Sequence, residues 1–110
     1  MTELSEINKL SDKEMEKMDR ELPPFQTNED VYDAISPELK KLLKDVEEMA
    51  WLMRYDIPKC IRKEEAINPT LISVECSAER VAQIAIQIQA ICMRAILMDE
   101  NEDGERKPAT

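Results

Sequence analysis

The sequence AERVAQIAIQIQAICMRAILM, residues 78–98, is strongly apolar and decides the fold. Its apolar residues recur at intervals of three and four, which is the spacing of one face of an α-helix. The first row is Val81, Ile84, Ile88, Ile91, Ala95 and Met98, and the second is Ile86, Ala90, Met93 and Leu97. A helix that is apolar around most of its circumference is buried on several sides. We therefore expect it at the centre of a helix bundle, at a dimer interface, or at both.

One narrow polar line interrupts this apolar surface. It consists of Arg80, Gln83, Gln87 and Arg94. Such groups must reach water or hydrogen-bond partners. One interpretation is that the line is the solvent-exposed edge of a packed helix. The other is that the helix meets a partner or its own symmetry mate along this line. Glutamines paired across a two-fold axis would then help to fix the register. Ser77 is the predicted N-cap of this helix.

Composition limits the function more than it defines it. The chain has 110 residues, enough for one domain, and a formal net charge of -9. This charge disfavours direct binding to nucleic-acid phosphates and to anionic membranes, and it suits a protein partner with a basic surface. Residues 78–98 contain Arg94 and three glutamines, so we do not predict a membrane span. The first ten residues lack an apolar run and do not read as a signal peptide.

The residue types that carry common chemistry are scarce. With one glycine and no histidine, the chain offers neither a glycine-rich phosphate loop nor a catalytic triad of the usual kind. Cys60, Cys76 and Cys92 are isolated from each other, so we predict no zinc site and a reducing, cytoplasmic compartment. Cys60 has cationic neighbours and is either a modifiable thiol or a packing residue. No cofactor is expected.

Capping signals predict the shorter helices. Ser11 and Glu14 have the spacing of a capping box, which predicts a helix over 11–22 after a flexible stretch 1–10. This helix is either a loosely packed flap or an arm that docks on a partner. Thr27 is a second predicted cap, for a short helix over 28–35.

The second long helix is predicted over 37–57. Ser36 and Pro37 have the residue types of an N-cap followed by the first helical position. An apolar stripe runs along the segment, and Trp51, Leu52 and Tyr55 broaden it near the end, which indicates a second contact there. KCIRKEEAI at 59–67 fits a short helix that ends at Asn68 and Pro69. LISVEC at 71–76 has the residue types of an extended segment, either a strand paired across a dimer or, as we favour, a linker leading to Ser77. We predict that residues 99–110 form a disordered acidic tail.

Carboxylate pairs could hold Mg²⁺ in a helical hydrolase. Asp45 and Glu48 are three residues apart, as are Asp30 and Asp33. A highly charged helix produces such pairs by chance, and we place Asp45 and Glu48 on the solvated side, away from the apolar stripe. We therefore predict no metal site, no catalytic residue and no enzymatic activity.

Together these patterns predict an all-α bundle in residues 11–98, with helices 37–57 and 78–98 antiparallel. The excess apolar surface predicts a homodimer formed through the C-terminal helix, and the charge and seven methionines favour a regulator that occludes or sequesters a protein partner. Two alternatives stay open, a nucleic-acid mimic and a Mg-dependent nucleotide pyrophosphohydrolase. The predicted interaction residues are Trp51, Leu52, Tyr55, Gln83, Ile86, Gln87, Met93, Arg94 and Leu97.

Overall fold

The protein is all-α, as predicted. The computed structural model describes the backbone of residues 4–105 and the side chains of residues 5–99. The helices are α1 (Leu4–Glu21), α2 (Asn28–Trp51), a π-helix (Leu52–Asp56), α3 (Ile57–Arg62) and α4 (Asn68–Glu105). No strand occurs within the described backbone.

Two compact units share the long helices. Unit 1 contains residues 1–38 and 86–110, and unit 2 contains residues 39–85. In unit 2 the second half of α2 and the first half of α4 lie side by side. Arg80 Nε donates to Asp45 Oδ1 at 3.1 Å, and Thr70 donates its hydroxyl to Asp56. Because residue numbers rise along one helix as they fall along the other, the two long helices are antiparallel, as predicted.

In unit 1, α1 packs against the C-terminal half of α4. The fully buried Ser11 donates its hydroxyl to the side chain of Gln89, which in turn donates to Asn8 Oδ1 at 3.1 Å. Further along, Arg94 of α4 pairs with Asp19 of α1. Numbers rise together along both helices, so α1 and α4 are parallel. Within its own chain, α1 therefore covers part of the apolar helix.

The predicted start of the second long helix is wrong. Helix α2 runs without a break from Asn28 to Trp51, and Pro37 lies inside it. A proline ring removes one backbone hydrogen bond from a helix interior. Residues on both sides of it, including Ala34 and Leu42, are nonetheless half-buried. Packing along one continuous helix thus outweighs the local signal from Ser36 and Pro37.

The predicted linker and extended segment are also wrong. Helix α4 begins at Asn68, and the Leu71 N–H donates to the Ile67 carbonyl at 2.9 Å. Pro69 is tolerated because the N–H groups of a first helical turn have no partner inside the helix. The segment 71–76 is helical, and Ser77 is a fully buried interior residue of α4 and not its N-cap.

The two ends of the chain also differ from the predictions. Helix α1 begins at Leu4, so Ser11 is not a cap either but a buried residue in the middle of the helix. A serine is small enough to let two helices approach closely, which accounts for its place against α4. Helix α4 continues past Met98 to Glu105. The rest of the predicted acidic tail, 106–110, lies outside the described residues.

The cap at Thr27 is confirmed. The Asp30 N–H donates to Thr27 Oγ1 at 3.1 Å, and the Thr27 N–H donates back to Asp30 Oδ2 at 3.2 Å. The Gln26 N–H donates to the same carboxylate oxygen at 2.9 Å. These hydrogen bonds, first that from Gln26 and then that from Thr27, lower the pKa of Asp30 below its ordinary value of 3.8. The carboxylate therefore fixes the entry into α2.

Helix α3 ends in a left-handed turn. Glu64 has a φ of 55°, the Glu65 N–H donates to the Cys60 carbonyl, and the Glu64 N–H donates to the Ile61 carbonyl. This pattern is a Schellman motif, in which a glycine is usual at the left-handed position. A side chain at Glu64 therefore introduces local backbone strain.

Few apolar side chains are buried. Among the described residues, the buried apolar ones are Cys60, Ala90 and Ile91. Many large apolar side chains are more than a third exposed, including Leu39 at 45%, Leu43 at 49%, Trp51 at 56% and Ile72 at 60%. Soluble single-chain proteins expose isolated apolar residues, but contiguous apolar surface marks a contact site.

Candidate interaction surfaces

The aromatic residues at the end of α2 form an exposed pair. Trp51 and Tyr55 are 56% and 59% exposed, with ring centroids 5.8 Å apart and ring planes tilted by 47°. Leu52 beside them is half-buried. The pair lies where α2 gives way to the π-helix, whose wider turn is closed by the Ile57 N–H donating to the Leu52 carbonyl. Short π-helical turns are frequent at functional sites.

The predicted interface residues of α4 are unequally accessible. Gln83 and Leu97 are exposed, whereas Ile86, Gln87 and Met93 are half-buried. Gln83 lies in unit 2, and the other four lie in unit 1. The row that contains Ile86 and Met93 also contains Ala90, which is 0% exposed. Much of the row that we expected at a dimer interface is therefore covered by the chain itself.

Arg94 belongs to the interior of unit 1 and not to a solvent edge. Its side chain is only 3% exposed, and its Nε donates to Asp19 Oδ1 at 2.8 Å. Its Nη2 donates to the carbonyls of Leu22 and Pro23 at 3.0 and 2.8 Å, and the guanidinium lies 4.8 Å from the centre of the Phe25 ring. Nη1 is buried and has no partner within the described part of the chain. Arg94 thus binds the carbonyl end of α1 and fixes the turn toward α2.

Arg80, the other arginine of the polar line, joins the two helices of unit 2. It donates to Asp45 and, within the same helix, to Ser77 Oγ at 3.1 Å, and it lies 3.8 Å from Glu48. The side chain of Asp45 is only 13% exposed, so our placement of this residue on the solvated side is wrong. Asp45 lies on the face of α2 that meets α4, which its i+3 and i+4 relations to Leu42 and Met49 could have indicated.

The carboxylate pair of the hydrolase hypothesis is thus ion-paired inside the chain. Asp45 and Glu48 share the guanidinium of Arg80, and Asp30 of the other pair holds the cap of α2. Within the described residues, no three side chains of the histidine, cysteine, aspartate or glutamate types form a group that could hold a metal ion.

All three cysteines are free thiols. Cys60 is 8% exposed, Cys92 is half-buried and Cys76 is exposed. Cys60 therefore occupies the place of a packing residue in unit 2. A thiol that is inaccessible to solvent is a poor nucleophile, even with Lys59 beside it in the sequence.

Unit 1 contains an apolar groove that sequence reasoning missed. Its volume is about 330 Å³. The groove is lined by Met18, Leu22, Phe25, Ala34, Glu38, Gln87 and Ile91. These residues come from α1, α2, α4 and the turn between the first two helices. Only Gln87 was among the predicted interaction residues, because no local pattern indicates that Met18 and Ala34 border the same groove.

Helix α4 is apolar but sparsely covered. Its segment Asn68–Asp99 is long and apolar enough to cross a membrane by length and composition, with a mean hydropathy of 1.6 in its most apolar window, of which 17% is buried. Core helices of soluble proteins meet the same criterion of length and composition. Because so little of this window is buried, much of the apolar surface of the helix is available for further contacts.

The comparisons with known proteins give no relative. No protein-family model matches the sequence, no curated protein matches it, and no solved structure matches the fold.

Proposed function

We propose that this protein is a small regulator that binds a basic, amphipathic segment of a protein partner and so keeps that segment from its other contacts. The apolar groove in unit 1 is the proposed binding site. The proposal rests on one observation, which is that the apolar groove lies in unit 1, the unit that carries the net negative charge of the chain.

The lining of the groove suits aliphatic side chains. Met18, Leu22 and Ile91 offer apolar contacts, and the volume lies at the lower end of the range for binding pockets. Leu22 is 51% exposed, so burying it against a partner would remove apolar surface from water. Flexible side chains such as Met18 allow the groove to repack around different residues.

The charge of unit 1 selects the partner. Residues 1–38 and 86–110 carry 16 acidic and 7 basic side chains, so the whole net charge of -9 belongs to this unit. An acidic surface speeds the encounter with a basic partner and repels an acidic one. A lysine- or arginine-bearing helix with one apolar face satisfies both the groove and the charge. We retain a cytoplasmic location as part of the proposal.

The experiment uses two model peptides that differ only in charge. One is an amphipathic helical peptide of leucine and lysine, and the other carries glutamate in place of each lysine. We expect fluorescence anisotropy to show that the full chain binds the lysine peptide, and that raising salt from about 0.05 M to about 0.5 M weakens binding at least fivefold, because exposed charges are screened. The glutamate peptide should not bind.

Two variants on α2 locate the site. Ala34→Gln extends a side chain into the groove and should weaken binding of the lysine peptide at least tenfold. Tyr32→Gln is the matched control, since Tyr32 is 70% exposed and does not line the groove. Equal binding of both peptides, or equal effects of both variants with the helical content unchanged, would refute the proposal.

A further inference from the structure

Unit 2 has an apolar face of its own, which the partner-binding proposal does not use. Counting 100° per residue, Leu39, Leu43 and Val46 lie within a 60° arc of α2. By the same count, Leu71, Ala78 and Ala82 share one side of α4. We call these six residues the unit 2 face. All six are exposed, with the large side chains between 39% and 49% accessible.

Helix geometry puts both rows on one side of the helix pair. On α2 the row lies about 120° clockwise from Asp45, which points to α4, when α2 is viewed from its N-terminus. On α4 the row lies about 120° clockwise from the buried Ser77, viewed in the same way. Each helix is viewed here from its own N-terminus. Because the two helices are antiparallel, a clockwise rotation away from the contact direction leads to the same side of the helix pair in both. The six residues therefore form one continuous surface.

A pair of helices is a single layer, and a stable arrangement covers the apolar side of a layer with a second one. We propose that the second layer is the unit 2 face of another copy of this chain, so that two helix pairs form a four-helix bundle around a two-fold axis.

The charge of unit 2 favours its own copy as the occupant. Residues 39–85 carry eight acidic and eight basic side chains, so the segment is neutral although the whole chain is at -9. Unit 2 itself therefore adds no net repulsion between two copies, whereas a basic partner gains nothing from this part of the chain. By the same count of 100° per residue, the exposed Glu75 of α4 lies about 40° from Leu71, at the outer edge of the unit 2 face.

The dimensions set the expected strength. At 1.5 Å per residue the α4 row spans about 17 Å from Leu71 to Ala82, and two helices of about 10 Å diameter give a footprint of about 350 Å² on each copy. This is small for a specific interface, so the dimer should be weak and concentration-dependent. We expect monomers near 1 µM and dimers near 500 µM, with a midpoint on the order of tens of micromolar.

Sedimentation equilibrium of the purified full chain tests the proposal. Two adjacent positions on α4 provide a matched pair, because Ala82 belongs to the unit 2 face and Gln83, also exposed, points about 100° away from it. Ala82→Glu should weaken dimerisation at least tenfold, since it buries a carboxylate near its own symmetry mate. Gln83→Glu adds the same charge and should change the dimer constant less than twofold. Circular dichroism verifies that both variants fold, and Leu43→Gln, an uncharged change on the α2 row, should weaken the dimer as well.

Three outcomes would overturn the inference. The first is a chain that is still monomeric near 500 µM. The second is a dimer that Ala82→Glu leaves intact or that both glutamate variants weaken equally, since either result would place the interface elsewhere. The third is binding of the monomer to neutral phosphatidylcholine vesicles that is lost in Ala82→Glu, which would assign the unit 2 face to a lipid surface. Peptide binding in unit 1 is measured separately, so failure of one proposal leaves the other standing.

Discussion

The two arginines of α4 allow one prediction to be worked out in detail. Arg94 and Arg80 each donate to an aspartate, at 2.8 and 3.1 Å. They differ in burial, since the side chain of Arg94 is 3% exposed and that of Arg80 is 50% exposed. Replacing each by alanine therefore separates the value of a buried guanidinium from that of a half-exposed one in the same helix.

The hydrogen bonds and the ring contact set the magnitude for Arg94→Ala. Hydrogen bonds from a charged donor to the Leu22 and Pro23 carbonyls contribute about 1.5 kcal/mol each at the lower end of the usual range. The pair with the half-exposed Asp19 contributes less than about 1 kcal/mol, and the contact with Phe25 about 1 kcal/mol. The buried Nη1 group has no partner and destabilises the fold, so its removal offsets about 1 kcal/mol of this loss. The net loss is about 3–4 kcal/mol, a large part of the roughly 5–15 kcal/mol of a typical domain.

Arg80→Ala should cost much less. Exposed ion pairs contribute about 0.2–1 kcal/mol, because water screens them and long side chains lose freedom when they pair. Arg94→Lys provides a third point. It keeps the charge but loses the planar fork that reaches two carbonyls at once, so it should fall between wild type and Arg94→Ala.

Urea unfolding measures these differences. With slopes of about 1–3 kcal/mol/M, Arg94→Ala should lower the midpoint by about 1–4 M, and Arg80→Ala by at most about a third as much at the same slope. Circular dichroism reports helices of both units, whereas the fluorescence of Trp51, the single tryptophan, reports unit 2. A shift of similar size for the two alanine variants by circular dichroism would refute the argument that burial of Arg94 stabilises unit 1.

Two further predictions concern local structure. The lowered pKa of Asp30 means that its contribution to stability is complete above its ordinary pKa and disappears as the pH falls through the depressed value. Asp30→Asn should therefore lower the urea midpoint at about pH 7, and the difference from wild type should shrink by about pH 2. A difference that is constant with pH, or one reproduced by the neighbouring Glu29→Gln, would contradict this account. Glu64→Gly should raise stability by about 0.5–1 kcal/mol, because glycine adopts the observed φ of 55° without steric cost. Glu64→Ala keeps the Cβ atom and serves as the control in the same unfolding experiment, where a gain of equal size would show that strain at Glu64 is not the cause.

Helix content followed from the sequence, but helix boundaries did not. The periodicity of α2 and α4 and the near absence of glycine predicted two long antiparallel helices. Ser11, Ser36 and Ser77 each have the residue type of an N-cap, yet all three lie inside helices, two of them fully buried. Serine is favourable at a cap and also at a close helix contact, and only the neighbouring helix distinguishes the two. At Thr27 the cap is real, and the Asp30 carboxylate completes the reciprocal hydrogen bonds, although Glu14 stands at the same distance from Ser11.

The sequence by itself determined that the chain is helical and acidic, and that the helix over residues 78–98 is too apolar to be left uncovered. These properties depend on residue type and local spacing. Tertiary structure decided which apolar residues are covered. Helix α1 lies over the row of Ala90, whereas Leu39 and Leu43 of α2 are exposed. Arg94 is buried, while Arg80 on the same polar line stays half-exposed. These outcomes depend on contacts between segments far apart in the chain, such as Asp19 with Arg94, which no local pattern encodes.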